Sequence, residues 1–228
     1  MPDHFLPGSP AVPLMMRRSA RARRISLRIS QLDGRVTLTL PQGVPEAEAL
    51  AFARIKEDWI RGHLEARPSD VAVGLGALVP VEGVARRVVP GAGRGVRLTA
   101  DEIAVPERQA ARRLHSWLRE LARDRLSGAA DGYARALGRD YARITLRDTR
   151  SRWGSCSSRG ALSFSWRLVL APPEVLRYVA AHEVAHLAEM NHSAAFWAGV
   201  ERIHGPYEAP RRWLRENGAG LHRFRFPG

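Results

Sequence analysis

The sequence is poor in cysteine, in lysine and in long apolar runs. Its single cysteine, Cys156, excludes an internal disulfide and any zinc site that needs two thiolates. The longest apolar stretches, such as residues 71–81, are too short and too interrupted by glycine to cross a bilayer. We therefore expect no membrane partner, and the free thiol favours a reducing, cytoplasmic compartment.

The charge balance is unusual, whereas the rest of the composition is ordinary. The 228 residues are 45% hydrophobic and 26% charged, which excludes a largely disordered chain or a coiled-coil rod. There are 36 Lys and Arg residues against 23 Asp and Glu, a net charge of +13, and Lys56 is the only lysine. Two interpretations stay open: the codon bias of a GC-rich genome, or a surface that binds a nucleotide or nucleic acid.

The first half of the chain is predicted to be β-rich with one helix. Residues 1–16 lack the basic and apolar segments of a signal peptide, and we interpret them as a flexible tail. Apolar residues alternate on both sides of Asp33-Gly34, which predicts an antiparallel hairpin over residues 23–40. A helix is expected over residues 45–67, with Phe52, Ile55, Trp59 and His63 on its inner face. A small meander is expected over 77–105, and the boundary of this region at about residue 106.

The second half predicts a mixture of helices and strands. A long helix is expected over residues 106–137, strands over 141–146 and 161–170, and a helix that begins at Pro172-Pro173. Helices and strands that follow one another in this way indicate the α+β class for residues 107–228.

The chemistry is concentrated in residues 182–192. This segment reads His-Glu-Val-Ala-His-Leu-Ala-Glu-Met-Asn-His and holds three of the eight histidines. His182 and His186 are one helical turn apart, so both imidazoles leave the same helix face and can reach one Zn²⁺ at ~2.1 Å. Glu183 projects from the same side, as the general base of a metal-dependent hydrolase does.

The third metal ligand has several candidates. His192 needs only a local turn of the chain to reach the metal. The alternative is an acid further along the chain, either Glu201 or Glu208. Three protein ligands would leave one position open for water, which is typical of a catalytic rather than a structural zinc site.

The surrounding residues resemble those of a known family. The matching segments are Thr149-Arg150-Ser151-Arg152-Trp153-Gly154-Ser155-Cys156-Ser157, Trp166-Arg167-Leu168, Tyr178 to Glu183, Asn191-His192-Ser193 and Phe196-Trp197. Together they are similar to the YgjP-like metallopeptidases, bacterial relatives of the SprT-like and Wss-type metalloproteases. The resemblance implies a zincin-like domain with a short antiparallel sheet and an active-site helix, and one Zn²⁺ per chain. It also implies His182, His186 and His192 as ligands and Glu183 as the catalytic residue.

Several nearby residues are candidates for contacts with a substrate or an oxyanion. Three of them are arginines close to the metal helix, the helix that carries His182 and His186. These arginines could bind phosphate, stabilise an oxyanion or lie on a solvated strand face. The other two are tyrosines, and Cys156 is interpreted as a packing residue. The candidates are Arg150, Arg152, Arg167, Tyr178 and Tyr207.

Zinc-dependent hydrolysis of peptide bonds is therefore the expected function. The first alternative is hydrolysis of a nucleotide phosphoanhydride with the same metal, the arginines binding the phosphates. The second is a DNA-binding module with a structural zinc site, for which Arg17, Arg18, Arg21, Arg23, Arg24 and Arg28 would supply the charge.

Overall fold

The computed structural model describes residues 4–30, 33–66 and 69–227 of an α+β chain. The chain divides into two compact units, Met1–Ser69 and Asp70–Gly228. The division falls earlier than the expected boundary at residue 106. The reason is packing: Val79, Val88 and Ile103 share one buried core with Leu114 of the following helix.

The first unit contains a four-stranded sheet and two helices. In chain order these are β1 (His4–Leu6), β2 (Val12–Arg18), β3 (Ser26–Ile29), β4 (Val36–Leu40), α1 (Glu46–Ile55) and α2 (Glu57–Glu65). The sheet order is β1-β2-β4-β3, with β2 parallel to β4 and the other pairs antiparallel. The predicted hairpin of β3 and β4 is confirmed, although two residues of its connection, 31 and 32, lie outside the described residues.

The expected flexible tail is wrong for the described residues 4–16. They form β1 and most of β2, and Leu6, Val12 and Leu14 are buried in the core of the first unit. The apolar residues alternate along β2, so that one side of the strand faces the core while Pro13 stays exposed. The prolines of this segment therefore accompany extended structure and not a disordered tail.

The single helix expected over 45–67 is also wrong in detail. The helix is interrupted at Lys56, whose φ of −98° and ψ of 12° lie outside the helical region. The buried stripe nevertheless continues through both helices, because Ala49, Ala53 and Ile60 lie in one core. The expected inner face at Ile55 and Trp59 is one residue out of phase with that stripe. Ile55 is 79% exposed and Trp59 is 46% exposed, whereas Ala53 and Ile60 are buried. Residues 67 and 68, the expected end of this helix, lie outside the described residues.

The second unit contains the remaining strands and helices. These are β5 (Val71–Ala72), β6 (Leu78–Val81), β7 (Val84–Pro90), β8 (Arg97–Leu98), β9 (Glu102–Val105), α3 (Ala110–Leu137), β10 (Arg143–Arg147), β11 (Gly154–Cys156), β12 (Ala161–Ser165), α4 (Pro173–Ala185), α5 (Ala194–His204), α6 (Glu208–Asn217) and β13 (Phe224–Arg225). Two 3₁₀ helices, Trp166–Leu170 and Gly218–Arg223, complete it.

The sheets of the second unit differ from the sequence predictions in two ways. The expected meander has the order β6-β7-β9-β8, with β7 parallel to β9. The sheet before the metal helix is mixed and not antiparallel, because β10 is parallel to β12 and only β11 is antiparallel to it. The strand predicted to reach Leu170 ends at Ser165, and the following residues form a fully buried 3₁₀ turn.

The long helix α3 is the scaffold of the second unit. Its buried residues repeat at four-residue intervals: Leu114, Leu118, Ala122, Leu126, Ala130 and Ala134. The alanines allow close packing of the neighbouring helices, and α3 packs against α4, α5 and the first 3₁₀ helix. Because α4 is fixed on one side by α3 and on another by β11 and β12, the residues on α4 have a rigid support.

Candidate metal centre

Two of the candidate ligands are placed by the end of α4. The helix begins at Pro173 and buries Val175, Val179 and Ala180. It ends at Ala185, and His186 follows with nearly helical dihedral angles, φ −64° and ψ −15°. His182 and His186 are therefore one helical turn apart, and their ring centroids are separated by 5.1 Å.

The third histidine is placed by the start of α5. Ser193 is the N-cap of this helix, and its Oγ accepts a hydrogen bond of 3.2 Å from the backbone N–H of Phe196. His192 directly precedes this cap, so its backbone position is tied to the helix start. Its Nε2 lies 3.0 Å from Nε2 of His182, and its ring centroid lies 4.8 Å from that of His186.

The three histidines form a cluster with the geometry of a metal site. One ligand nitrogen from each ring lies within 4.8 Å of the others, and no second group of three candidate ligands occurs among the described residues. The other proposed third ligands, Glu201 and Glu208, are not in this group. Glu208 instead accepts a hydrogen bond from the backbone N–H of Tyr207.

A hydrogen bond at one nitrogen of an imidazole ring determines whether the other nitrogen of that ring can bind a metal. Nδ1 of His186 lies 3.0 Å from the carbonyl oxygen of Glu189, and an N–H donated to that oxygen leaves Nε2 free for a metal. Burial, followed by the charges of His186 and His192, lowers the pKa of His182 to about 4. His182 is therefore neutral near pH 7, as a metal ligand must be.

Phe196 forms an apolar floor beneath the cluster. Its ring centroid lies 4.9 Å from that of His182, 4.5 Å from that of His186 and 4.8 Å from that of His192. The side chain is 1% exposed. It therefore supports all three imidazoles at once and excludes water from one side of the cluster.

Glu183 is next to the cluster but outside the group of ligands. Its side chain is buried and lies against Gly154 of β11. Burial raises the pKa of Glu183 to about 7, while the positive charge of Arg152 opposes this rise. A buried carboxylate whose pKa is near neutrality can both accept and donate a proton, and a nearby cation would lower that pKa.

The three candidate arginines occupy different environments. Arg152 is exposed and acts on Glu183 through its charge. Together with Arg143 and Arg147 it lines a groove of about 500 Å³ on the face of the β10-β12-β11 sheet. Arg150 is exposed, and its charge contributes to the lowered pKa of His222.

Arg167 has structural contacts, which argue against its candidate role as a contact with a substrate or an oxyanion. It is 6% exposed, its Nε lies 2.6 Å from Asp148 Oδ1, and Nη1 donates to the carbonyl oxygens of Leu221 and Phe224. All of these partners belong to the protein itself, so the guanidinium holds the C-terminal segment in place. Cys156 is likewise outside the metal group, and its Sγ donates to the carbonyl oxygen of Ser157.

The two candidate tyrosines belong to a stack of aromatic rings beside the cluster. Tyr178 is buried, its ring centroid lies 6.0 Å from that of His182, and its ring is nearly parallel to that of Tyr207. This burial favours a packing role for Tyr178. Tyr207 is half-buried and also stacks on Trp197, which the guanidinium of Arg211 covers.

Four residues beside the cluster had no predicted role in the site: Gly154, Phe196, Trp197 and Arg211. Gly154, Phe196 and Trp197 lie within the motifs that carry the family resemblance, and those motifs could have indicated their place in the site. Arg211 had no signal, because its link to the cluster is a tertiary contact with the ring of Trp197.

Comparison with known proteins agrees with the class of hydrolase that this site defines. Residues 23–217 match the YgjP-like metallopeptidase domain, so the chain belongs to the YgjP-like family and is a metal-dependent hydrolase. No curated protein matches the chain. One solved structure that it resembles is the crystal structure of the metallopeptidase zymogen of Pyrococcus abyssi abylysin, with 21% identity and a TM-score of 0.36. The match covers 41% of this chain and 92% of that one.

The described residues contain no helix that is both long and apolar enough to cross a membrane.

Proposed function

We propose that the protein is a zinc-dependent peptidase whose metal is held by His182, His186 and His192. The observation that supports the proposal best is the convergence of three imidazoles beside one buried carboxylate, Glu183, which forms no ion pair with a described residue. Three protein ligands are the usual set for catalytic zinc, since they leave a coordination position for water.

Zinc fits the donor set and the spacing of this cluster. Three nitrogens around one tetrahedral zinc at ~2.1 Å are about 3.4 Å apart, and the ligand atoms here lie within 4.8 Å of one another. Only small side-chain rotations are needed to close them around an ion. The backbone acceptor for His186 and the apolar floor of Phe196 hold the rings close to that arrangement.

Glu183 is the proposed general base. Zinc bound by the histidines would supply a Lewis acid that lowers the pKa of water and polarises a peptide carbonyl. A carboxylate oxygen of Glu183 takes a proton from the attacking water and transfers it to the amide nitrogen that leaves. The tight contact with Gly154 limits the rotation of this side chain.

The edge strand β11 is the proposed binding site for the backbone of the peptide substrate. It lies at one edge of the sheet order β10-β12-β11, so an extended substrate can form backbone hydrogen bonds with its outer side. Gly154 at the start of β11 contacts Glu183, which places the edge strand beside the base. A peptide paired with β11 would therefore pass the reacting groups in an extended conformation.

The proposal is tested by turnover of the zinc-loaded protein with casein and with a panel of nucleoside triphosphates. We expect peptide cleavage that Glu183→Gln reduces by at least ~10², with zinc content and Tm of the loaded protein nearly unchanged. The matched control is Glu174→Gln, an exposed acid at the start of α4. Hydrolysis of triphosphates without cleavage of casein would replace the proposal by the nucleotide alternative. A zinc-loaded protein that binds DNA and hydrolyses neither substrate would indicate a structural zinc site.

A further inference from the structure

Arg211 lies at the open end of a stack of three aromatic rings. Tyr178 and Tyr207 have centroids 6.2 Å apart and planes within 14°, and Tyr207 and Trp197 have centroids 5.0 Å apart and planes within 21°. The guanidinium carbon of Arg211 then lies 4.5 Å from the centroid of Trp197. A planar guanidinium packed on an indole ring has a fixed orientation, although the residue is exposed.

The stack adjoins two of the three metal ligands. The centroid of Trp197 is 5.7 Å from that of His182 and 5.9 Å from that of His192. The guanidinium is therefore only one aromatic ring away from the metal cluster. Its charge also reaches the site, since it is among the smaller causes that lower the pKa of His182.

The charge of Arg211 is not balanced by a carboxylate of the described residues. Three other arginines of the second unit, Arg125, Arg167 and Arg225, form ion pairs with Glu82, Asp148 and Asp70. Arg211 has the contact with Trp197 and no ion pair or side-chain hydrogen bond to a described residue. Since no described residue accepts a hydrogen bond from the guanidinium, its N–H groups can bind an anion.

The local sequence explains how Arg211 reaches this position. Its backbone N–H donates to the carbonyl oxygen of Tyr207 at 3.1 Å, so the two residues are one helical turn apart at the start of α6. Both side chains then leave the same helix face and reach Trp197 on α5. The adjacent Arg212 lies about 100° further around the helix and is exposed.

We propose that Arg211 binds a carboxylate of the peptide substrate. The inference rests on the peptidase function proposed above. The fork of guanidinium N–H groups matches a carboxylate with two parallel hydrogen bonds, and the indole ring fixes that fork beside the metal. The carboxylate is either the C-terminal group of the peptide or the side chain of an Asp or Glu near the scissile bond. In both cases Arg211 determines which peptides bind in register with the metal.

Binding of peptides to a protein that does not cleave them tests this site. The zinc-loaded Glu183→Gln protein is titrated calorimetrically with one peptide as its free acid and as its C-terminal amide, and with Asp and Asn versions of the amide. We expect at least one carboxylate form to bind about tenfold more tightly than its neutral partner. If Arg211 binds the C-terminal carboxylate, the free acid binds more tightly than the amide. If it binds a side-chain carboxylate, the Asp peptide binds more tightly than the Asn peptide.

Adding Arg211→Gln should remove the preference and leave the affinity for the neutral peptides unchanged. Arg211→Lys should recover part of it, because lysine keeps the charge but not the planar fork. Arg212→Gln is the matched control and should retain the preference. Equal affinities for acid and neutral peptides, or an equal loss for all peptides in Arg211→Gln, would overturn the proposal. Zinc content and Tm show whether each variant is folded, and if Arg211→Gln is not, Arg211→Lys alone must reduce the preference.

The two proposals fail separately. If Arg211 discriminates carboxylates but the unmutated protein cleaves none of these peptides, the peptidase function is wrong and the binding site is retained. If the peptides are cleaved without regard to their carboxylates, the peptidase function is retained and the role of Arg211 is wrong.

Discussion

Gly154 lies directly against the side chain of Glu183. A Cβ atom at residue 154 would be 2.5 Å from both Cγ and Oε1 of the glutamate, closer than real Cβ atoms approach other atoms. The absent side chain of Gly154 is thus the space that Glu183 occupies. The edge strand and the metal helix are consequently fitted to each other at the proposed base.

We predict that Gly154→Ala abolishes most of the hydrolysis while zinc is retained. The added methyl group must displace the carboxylate, and a displacement of about 1 Å can reduce a rate by ~10². Activity and zinc content of the purified variant are the measurements. The control is Gly132→Ala in α3, where an added Cβ meets nothing within 4 Å and should stabilise the helix slightly. Unchanged activity in Gly154→Ala would show that Glu183 tolerates another position.

The ligand assignment predicts that His192→Ala lowers zinc affinity by at least about 100-fold. Losing one of three nitrogens leaves two ligands, too few for a catalytic zinc site. Competition with a chromogenic chelator gives the affinity. Glu201→Gln and Glu208→Gln should change it little, because neither residue is in the cluster. An effect of either substitution equal to that of His192→Ala would make that acid the third ligand.

The floor of the cluster predicts a separate effect on zinc release. Phe196→Ala should accelerate zinc dissociation, since all three imidazoles lose the same packing surface. A loss of about 3–5 kcal/mol of stability is expected from the cavity. Phe196→Leu fills most of that cavity and should be milder in both respects. Equal dissociation rates in the three proteins would show that the rings hold their positions without Phe196.

The buried Glu183 predicts a pH dependence of stability in the metal-free protein. Its pKa is raised from 4.5 to about 7, chiefly by burial, so the folded state binds the proton more tightly than the unfolded state. This group therefore lowers the free energy of unfolding as pH rises from about 4.5 to 7, and the loss persists above that range. Metal-free Glu183→Gln should be more stable than the unmutated protein at pH 8, by on the order of 1–3 kcal/mol. Denaturant titrations at pH 4 and pH 8 measure the difference, which should nearly vanish at pH 4. A difference that is the same at both values would contradict the burial argument.

Arg167 and Arg152 lie in different environments, so their substitution should affect the stability of the protein differently. Arg167→Gln should lower the free energy of unfolding by about 2 kcal/mol or more, because it leaves Asp148 and two backbone carbonyls without their donor. Arg152→Gln should leave stability within about 0.5 kcal/mol, since the side chain is exposed. Denaturant titration of the two variants under the same conditions is the measurement. A destabilising Arg152→Gln would show that this residue, too, has a structural role.

Local patterns allowed several elements to be predicted correctly. The alternation around Asp33-Gly34 predicted the hairpin, because the period of two residues reports directly which side of a strand is buried. The four-residue spacing of His182 and His186 predicted their common face for the same kind of reason, since helix geometry fixes it within one turn. Both predictions need no information from distant parts of the chain.

Predictions failed where burial depended on a second element. The stripe of Ile55 and Trp59 has helical spacing, yet the face that packs on the core is one residue away, at Ala53 and Ile60. The composition of residues 1–16 predicts a tail, although residues 4–16 form strands through pairing with β4 and burial in the core of the first unit. In both cases the local pattern permits more than one arrangement, and the neighbouring element decides between them.

By itself, the sequence determined the candidate ligands and the candidate base: the three histidines, Glu183, and the helix that presents two of the rings. Only the tertiary structure decided what surrounds that set. Gly154 against Glu183, Phe196 beneath the rings and Arg211 on Trp197 each join segments that are separated along the chain. Spacing along one helix follows from its fixed rise and rotation, whereas contacts between elements depend on how their side chains fill the shared space.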